Sequence, residues 1–403
     1  MFYDRYLKKD ILSALKAFPA LLITGARQTG KSTLAMSLCD NYITLDDITL
    51  LSLAKDDPVM FISNLSTPIV IDEIQKAPNL LPAIKMAIDK NRKPGQFILT
   101  SSANVLDFKN IGDTLAGRLA IFELSPLSHA ELHSTGRLFL ESLFDDEFIP
   151  NKKQKVSQEQ IYQRVLDGMY PDIINQKDTK LKYIWFSSYI ATYIERDVRD
   201  IENIRNIDKF SNLINILASR SGNLLNKSDI ANATKVDIKT LENHLSLLEL
   251  IYQIKRVKPY HANIGKRFAK SEKLFFTDTG VLCFLLGVQS IDDFLSSHFV
   301  GSIYETFVFN ELYKQITFLL GSTQIYYYRT HDKKEIDFCI EHGGKLVAIE
   351  VKFAKSISKN DFRHIIDLQK SSKNFHLGVI IYMGEYTLSF GNGLWAIPFG
   401  AIC

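Results

Sequence analysis

The chain has 403 residues, with 48 Lys and Arg against 45 Asp and Glu for a net charge of +3, and a pI near 8.4. It is long enough for two or three cores and too weakly basic for its whole surface to serve nucleic acid. The four cysteines, Cys39, Cys283, Cys339 and Cys403, show no C-x-x-C spacing, and no run of about 18 apolar residues occurs, which argues against a metal cluster, a disulfide framework and a membrane span and sets a cytoplasmic location as the expectation.

In chain order, Ala20-Leu21-Leu22-Ile23 predicts a strand, followed by Gly25-Ala26-Arg27-Gln28-Thr29-Gly30-Lys31-Ser32, a full G-x-x-x-x-G-K-[ST] loop. That spacing is the phosphate cradle of nucleoside triphosphate sites. Gly25 and Gly30 let the backbone curl so that its N–H groups point inward, and a helix starting near Lys31 adds its positive end. Lys31 suits the β- and γ-phosphates of ATP and the Ser32 hydroxyl suits Mg²⁺, while Thr33 continues the helix at the edge of the loop. Pro68 to Asp72 predicts a second strand of the same parallel sheet; Asp72 is the candidate Mg²⁺ carboxylate and Glu73 the candidate base for an attacking water. A third strand, Gln96 to Thr100, ends in Ser101 and Ser102, one of them a candidate γ-phosphate sensor. Arg118 precedes a fourth strand, and three readings of it stand: a phosphate contact in its own subunit, one in a neighbour, or an ordinary surface arginine.

These pieces, with Val70-Ile71-Asp72-Glu73, Leu99-Thr100-Ser101-Ser102, Ala116-Gly117-Arg118 and Leu124-Ser125-Pro126-Leu127-Ser128, resemble the prokaryotic AAA+ ATPases fused to a C-terminal domain of unknown function. Gly168-Met169-Tyr170-Pro171-Asp172, Tyr193-Ile194-Glu195-Arg196-Asp197-Val198 and Phe276-Thr277-Asp278-Thr279-Gly280-Val281-Leu282 extend the likeness over nearly the whole chain. One departure is Met169, where that family commonly has a second glycine. The resemblance implies ATP and Mg²⁺ as cofactors and a homo-oligomer with shared sites.

From Ser128 to about Asn151 the apolar pattern loosens, marking a boundary. Ile184 to Ile207 reads as helix with mixed charges at Glu195 to Asp200, a solvated face from which Arg196 or Arg199 could serve a neighbour. Residues 209–276 have the order of a winged helix: a helix with Phe210, Leu213, Ile214, Ile216 and Leu217, a second capped and started by Ser228-Asp229-Ile230-Ala231, a third from Lys239 to Leu250, then two strands. The third helix is expected to expose Lys239, Thr240, Asn243 and His244, and the wing to carry Lys255, Arg256, Lys258, Lys266, Arg267, Lys270 and Lys273. Double-stranded DNA is one partner for such a surface, and a packing role is the other reading.

In the last third, Gly301 to Thr317 predicts a helix with Ile303, Phe307 and Leu312 inward and Glu305 near its start. Strands follow at Gln324 to Arg329, Glu335 to Glu341 and Lys345 to Phe353, the last two joined by a Gly343-Gly344 turn. Pairing His342 with Lys345 places Asp337 opposite Glu350 and Glu335 opposite Lys352 on one face. Helix-Glu, strand-Asp, Glu-x-Lys resembles the PD-(D/E)xK nuclease fold, with Glu305, Asp337, Glu350 and Lys352 as a second candidate site; an ordinary cross-strand charge pair is the other reading.

The expected architecture is α/β: a P-loop NTPase, AAA+-like, parallel-sheet domain over 1–135, a helical linker over 136–208, a winged helix over 209–276 and a restriction-endonuclease-like α/β domain over 277–403. The expected function is Mg²⁺-dependent ATP hydrolysis that switches the C-terminal module. An ATP-gated, metal-dependent DNA nuclease and a nucleotide-dependent scaffold with little turnover are the alternatives.

Overall fold

The computed structural model describes residues 3–104, 115–133, 137–150, 156–194, 207–261, 271–319, 321–332 and 334–402. They form two compact units, Met1–Leu127 with Leu250–Tyr252, and Ser128–Glu249 with Gln253–Cys403.

The first unit is built on a parallel sheet of β1 (Ala20–Thr24), β2 (Tyr42–Thr44), β3 (Ile69–Asp72), β4 (Phe97–Ser101) and β5 (Leu119–Glu123), in the order β2-β3-β4-β1-β5. Continuous apolar runs suit strands covered on both faces, and every residue of β1, β3 and β4 is buried. Leu80, Ile84 and Ile88 of the helix Leu80–Lys90 pack with Leu22, Ile71 and Leu99 in one cluster. β2 is three residues long, too short to leave an alternation in the sequence. β4 lies between β1 and β3, so its C-terminal end separates the loop after β1 from the carboxylates after β3.

The second unit contains three successive helices, Ile207–Ala218, Lys227–Thr234 and Ile238–Leu250, followed by the antiparallel pair β6 (Ile254–Val257) and β7 (Lys273–Phe276). The second of these helices is capped by Asn226, whose side chain accepts the Asp229 N–H, and not by Ser228. His244, expected on the surface, is buried with its ring edge-on to Phe210 at 5.3 Å.

Among further helices, the same unit holds a sheet in the order β12-β13-β11-β10-β9-β8, formed by β8 (Gln324–Arg329), β9 (Glu335–His342), β10 (Lys345–Lys352), β11 (Phe375–Tyr382), β12 (Leu388–Gly391) and β13 (Leu394–Pro398). β10 and β11 run parallel, connected through the helix Arg363–Ser371, whose Ile365 and Leu368 pack onto one face. On the other face Phe309 of the helix Val300–Phe318 meets Phe338 at 5.9 Å. That helix is buried on most sides, through Tyr304, Val308, Asn310, Glu311 and Gln315 as well as the inward Ile303, Phe307 and Leu312. No helix among the described residues is long and apolar enough to cross a membrane.

The hairpin pairs His342 with Lys345 and Phe338 with Ile349, as the Gly343-Gly344 turn requires. Strict alternation along β9 does not hold. The register with β8 shifts between Tyr326 and Tyr328, opposite Asp337 and Phe338, and both Ile336 and Cys339 enter the same core cluster. A bulge here re-aims Asp337 relative to a regular ribbon.

Two stretches singled out in the sequence meet inside this unit. Asp278 caps the helix Thr279–Leu285 by accepting the Val281 N–H at 3.1 Å, and its other oxygen accepts the Met169 N–H at 2.8 Å. A Cβ on Gly168 would lie 2.2 Å from the Asp278 carboxylate, and one on Gly280 would lie 2.8 Å from the Asp167 carbonyl oxygen. The two glycines are there because backbone and carboxylate approach this closely.

Candidate functional site

The loop after β1 is shaped by residues that tolerate unusual backbone. Gly25 has φ 138°, and a Cβ there would stand 2.3 Å from the Leu124 carbonyl oxygen. Gln28 and Gly30 also have positive φ, 64° and 91°, and Gly30 leads into the short helix Lys31–Met36. Ala26 is the hub: its carbonyl accepts the Thr29 hydroxyl at 2.9 Å and the Lys31 ammonium at 2.7 Å. Arg27 and Gln28 are half-buried and Thr33 is exposed on the helix. Arg5, which the sequence pattern does not mark, is buried and donates to the carbonyls of Thr29 and Ser125, both at 2.7 Å.

Asp72, at the end of β3, is buried and receives three hydroxyls: Ser32 at 2.8 Å, Tyr42 at 2.8 Å, and Thr100. Burial and then the Asp72 hydrogen bond push the Tyr42 phenol up to about 12, so it remains a donor to that carboxylate. Thr100 also accepts the Glu73 N–H at 3.1 Å. Glu73 has a left-handed backbone, φ 60° and ψ 44°, and its carboxylate accepts the Ser102 hydroxyl at 3.1 Å and the Gln75 amide. Gln75 in turn donates to Ser102 at 2.8 Å.

The structure therefore brings together Lys31, Ser32, Asp72, Glu73 and Ser102. It turns Ser101 away, fully buried and donating to the Ala103 carbonyl. Arg118 is not brought to the loop. β1 and β5 run parallel, with Ala20 beside Leu119 and Thr24 beside Glu123, so Arg118 lies at the opposite end of the sheet, roughly 20 Å along the strands from Gly25. There it donates to Asp89 at 2.6 Å and to the Ala116 carbonyl at 3.0 Å. Besides Arg5 and Gln75, sequence reading missed Thr100 and Tyr42; the strand order that makes them neighbours of Asp72 is not a local signal.

The second candidate site is built differently from expectation. Asp337 accepts the Val351 N–H at 2.7 Å, and Lys352 donates to Glu350 at 2.8 Å. Glu305, however, meets Lys273, whose side chain is 3% exposed and whose ammonium lies 2.7 Å from Glu335, 3.1 Å from Glu305 and 3.8 Å from Asp337. Arg329 adds a second contact to Glu335 at 3.2 Å. Burial opposes the charge on Lys273, yet Glu305, Asp337 and Glu335 outweigh it and hold the lysine above its ordinary range. Burial first, and then the Asp337 charge, push Glu305 and Glu350 up to about 8; burial also raises Asp337. Among the described residues, no group of three or more His, Cys, Asp and Glu is arranged to hold a metal ion.

A pH dependence follows. Glu305 and Glu350 bind protons more tightly in the folded than in the unfolded state, so their contribution is complete below about pH 4.5 and is lost as pH rises through the folded value. Both tryptophans, Trp185 and Trp395, lie in the second unit. Its urea midpoint, read by their fluorescence, should fall between about pH 5 and 8 and then level off, with a shallower fall in Glu305→Gln.

Two of the described basic residues of the wing, Arg256 and Lys273, are paired with carboxylates of the same unit. Arg256 donates to Glu249 at 2.7 Å and to Glu242 at 3.0 Å, and lies 3.7 Å from Glu272. Lys255 sits over the Tyr313 ring at 5.0 Å, and Lys273 is buried as above. Lys266, Arg267 and Lys270, like Arg196 and Arg199, lie outside the described residues.

Comparison with known proteins agrees with the loop geometry. Residues 17–133 match the family described as an AAA domain, residues 158–292 a domain of unknown function (DUF8612), and residues 300–402 another domain of unknown function (DUF4143). An uncharacterized protein of Mycobacterium tuberculosis is 28% identical over 396 residues, which is 96% of this chain and 81% of that one. Another, of Methanocaldococcus jannaschii, is 24% identical over 306 residues, 68% of this chain and 62% of that one. A solved Walker-type ATPase of Pyrococcus abyssi aligns over 71% of this chain and 96% of its own, at 15% identity and a TM-score of 0.42. The chain thus carries an AAA-type, P-loop ATPase-like domain with a parallel sheet, followed by matches to two families whose function is undefined.

Proposed function

We propose that this protein binds ATP with Mg²⁺ at the loop Gly25–Ser32 and hydrolyses it. The observation that carries the reading is the bond from the Ser32 hydroxyl to Asp72 at 2.8 Å, which joins the loop to the carboxylate after β3. A hydroxyl and a carboxylate at the mouth of a phosphate-binding loop are the hard oxygen donors that Mg²⁺ takes, with water filling its other positions. Bound there, Mg²⁺-ATP supplies the phosphoryl group and the cation that offsets its charge. Lys31 places its ammonium inside the curl of the loop, where phosphate charge is met. Tyr42 and Thr100 hold Asp72 in place, and Ser102 and Gln75 hold the Glu73 carboxylate, the base that takes a proton from water. Arg5 fixes the loop backbone from behind.

In this reading hydrolysis switches the arrangement of the C-terminal module, and the order of three helices followed by an antiparallel ribbon supports a winged helix as part of it. Arg118, tied to Asp89 at the far end of the sheet, takes no part in the cycle of its own subunit. The test is phosphate release and nucleotide affinity in Lys31→Ala. Turnover should drop by about 10²-fold or more as the charge facing the phosphates is removed, with the tryptophan melting transition unchanged. Wild-type turnover in Lys31→Ala would end the proposal.

A further inference from the structure

Four carboxylates, Glu305, Glu335, Asp337 and Glu350, gather where the helix Val300–Phe318 meets β9 and β10. A site that cleaves phosphodiesters with a metal would seat a divalent cation among them. We infer that the ammonium of Lys273 occupies that seat permanently: the cluster carries a built-in cation, so the C-terminal sheet is a clasp and not a metal-dependent nuclease site, and removing the ammonium turns the cluster into a site for one divalent cation.

The placement of Lys273 carries this. Its ammonium lies within 4 Å of three carboxylates from two elements, Glu305 on the helix and Glu335 and Asp337 on β9. A cation bridging carboxylates from separate elements is what a metal provides in such a fold; here a side chain does it from a third element, β7. Lys273 cannot withdraw easily. It pairs with Val257 of β6 on one side and bridges to Leu224 on the other. The Gly222 N–H donates to the neighbouring Leu274 carbonyl at 2.7 Å. Its surroundings are packed as well, with Phe275 stacked on Phe309 at 4.3 Å and the Ser221 and Thr306 hydroxyls 2.9 Å apart. A divalent ion brought to the same oxygens would stand within contact distance of a like charge in a buried place, where such repulsion is weakly screened. Asp337 has also given one oxygen to the Val351 N–H, and Glu350 has given one to Lys352, which leaves fewer lone pairs for a metal.

The chemistry of the two occupants differs in a way that can be read. An ammonium donates three hydrogen bonds and needs no ion from solution, whereas a divalent site would make the unit's stability depend on free metal. The clasp joins the segment ending in β7 to the helix and to β9 without drawing on a dissolved ion.

The experiment titrates Mn²⁺ into the full chain without nucleotide, following the free-ion electron paramagnetic resonance signal. Asp72→Asn is present throughout, so that the ATP site contributes nothing. With Lys273 in place, no Mn²⁺ should bind at the cluster. Lys273→Ala should bind one equivalent, should melt at a higher temperature when Mn²⁺ is added, and should lose both effects when Glu305→Gln or Asp337→Asn is added. The inference is overturned if the chain with Lys273 binds Mn²⁺ and Asp337→Asn abolishes that binding. It is also overturned if folded Lys273→Ala gains no Mn²⁺ site. The first measurement uses the native cluster and decides the matter even if Lys273→Ala does not fold; recovery of such a variant on refolding with Mn²⁺ would support the inference.

Discussion

Glu73→Gln should leave ATP affinity near that of the wild type while slowing hydrolysis by about 10²- to 10⁴-fold, the range over which a positioned general base acts. The carboxylate is held by the hydroxyl of Ser102 at 3.1 Å and by the Gln75 amide, and its backbone is pinned in a left-handed conformation by the N–H bond to Thr100. A glutamine there keeps the shape and the Ser102 contact, and the Gln75 amide can turn its oxygen to the new donor. Only the capacity to accept a proton is lost. Nucleotide affinity and single-turnover phosphate release, measured separately, distinguish this from a binding defect. Unchanged single-turnover release in Glu73→Gln would remove Glu73 from the chemistry. Thr100→Val offers a second reading of the same geometry: it deletes the hydroxyl shared by Asp72 and the Glu73 N–H, so it should slow turnover without removing a reacting group.

The parts of this site that were legible in the sequence are the parts that are contiguous. Gly25 to Ser32 can be read because the strained turns and the donors sit within eight consecutive positions, and Asp72-Glu73 because an apolar strand points at them. Thr100 and Tyr42 could not be read, because their roles arise from β4 lying between β1 and β3 and from β2 flanking β3. Arg5 is 24 positions from the carbonyl it holds at Thr29 and 120 from Ser125, and no spacing rule joins them. In the second unit the hairpin register was legible from its glycine turn, whereas the bulge at Asp337 depends on a third strand, β8. Lys273 shows the limit most sharply. In sequence it closes a run of basic residues and reads as wing charge; in space it is 3% exposed among carboxylates that lie 32 to 64 positions away. A charge run is a surface only if the fold leaves it there.

Asp278→Ala is expected to destabilise the second unit by about 3 kcal/mol. Loss of the cap on the helix Thr279–Leu285 contributes about 1 kcal/mol. The Met169 N–H, buried and deprived of its acceptor, contributes about 1–3 kcal/mol more. The site has little means of relaxing. Gly168 and Gly280 already stand closer to their neighbours than any Cβ allows, and the buried phenols of Tyr170 and Tyr189 are hydrogen-bonded to each other at 2.7 Å. Trp185 stacks on Tyr189 at 5.1 Å, so its fluorescence reports on this junction directly. Asp278→Asn separates the two contributions, because its amide oxygen can still cap the helix while its NH₂ faces the Met169 N–H as a second donor. It should therefore recover the cap and little else, about 1 kcal/mol of the loss. If Asp278→Ala shifts the urea midpoint no more than a surface substitution does, the junction between Gly168 and Gly280 is not what holds these segments together. An effect of the expected size would assign these two segments to folding, independent of the chemistry at Lys31 and Glu73.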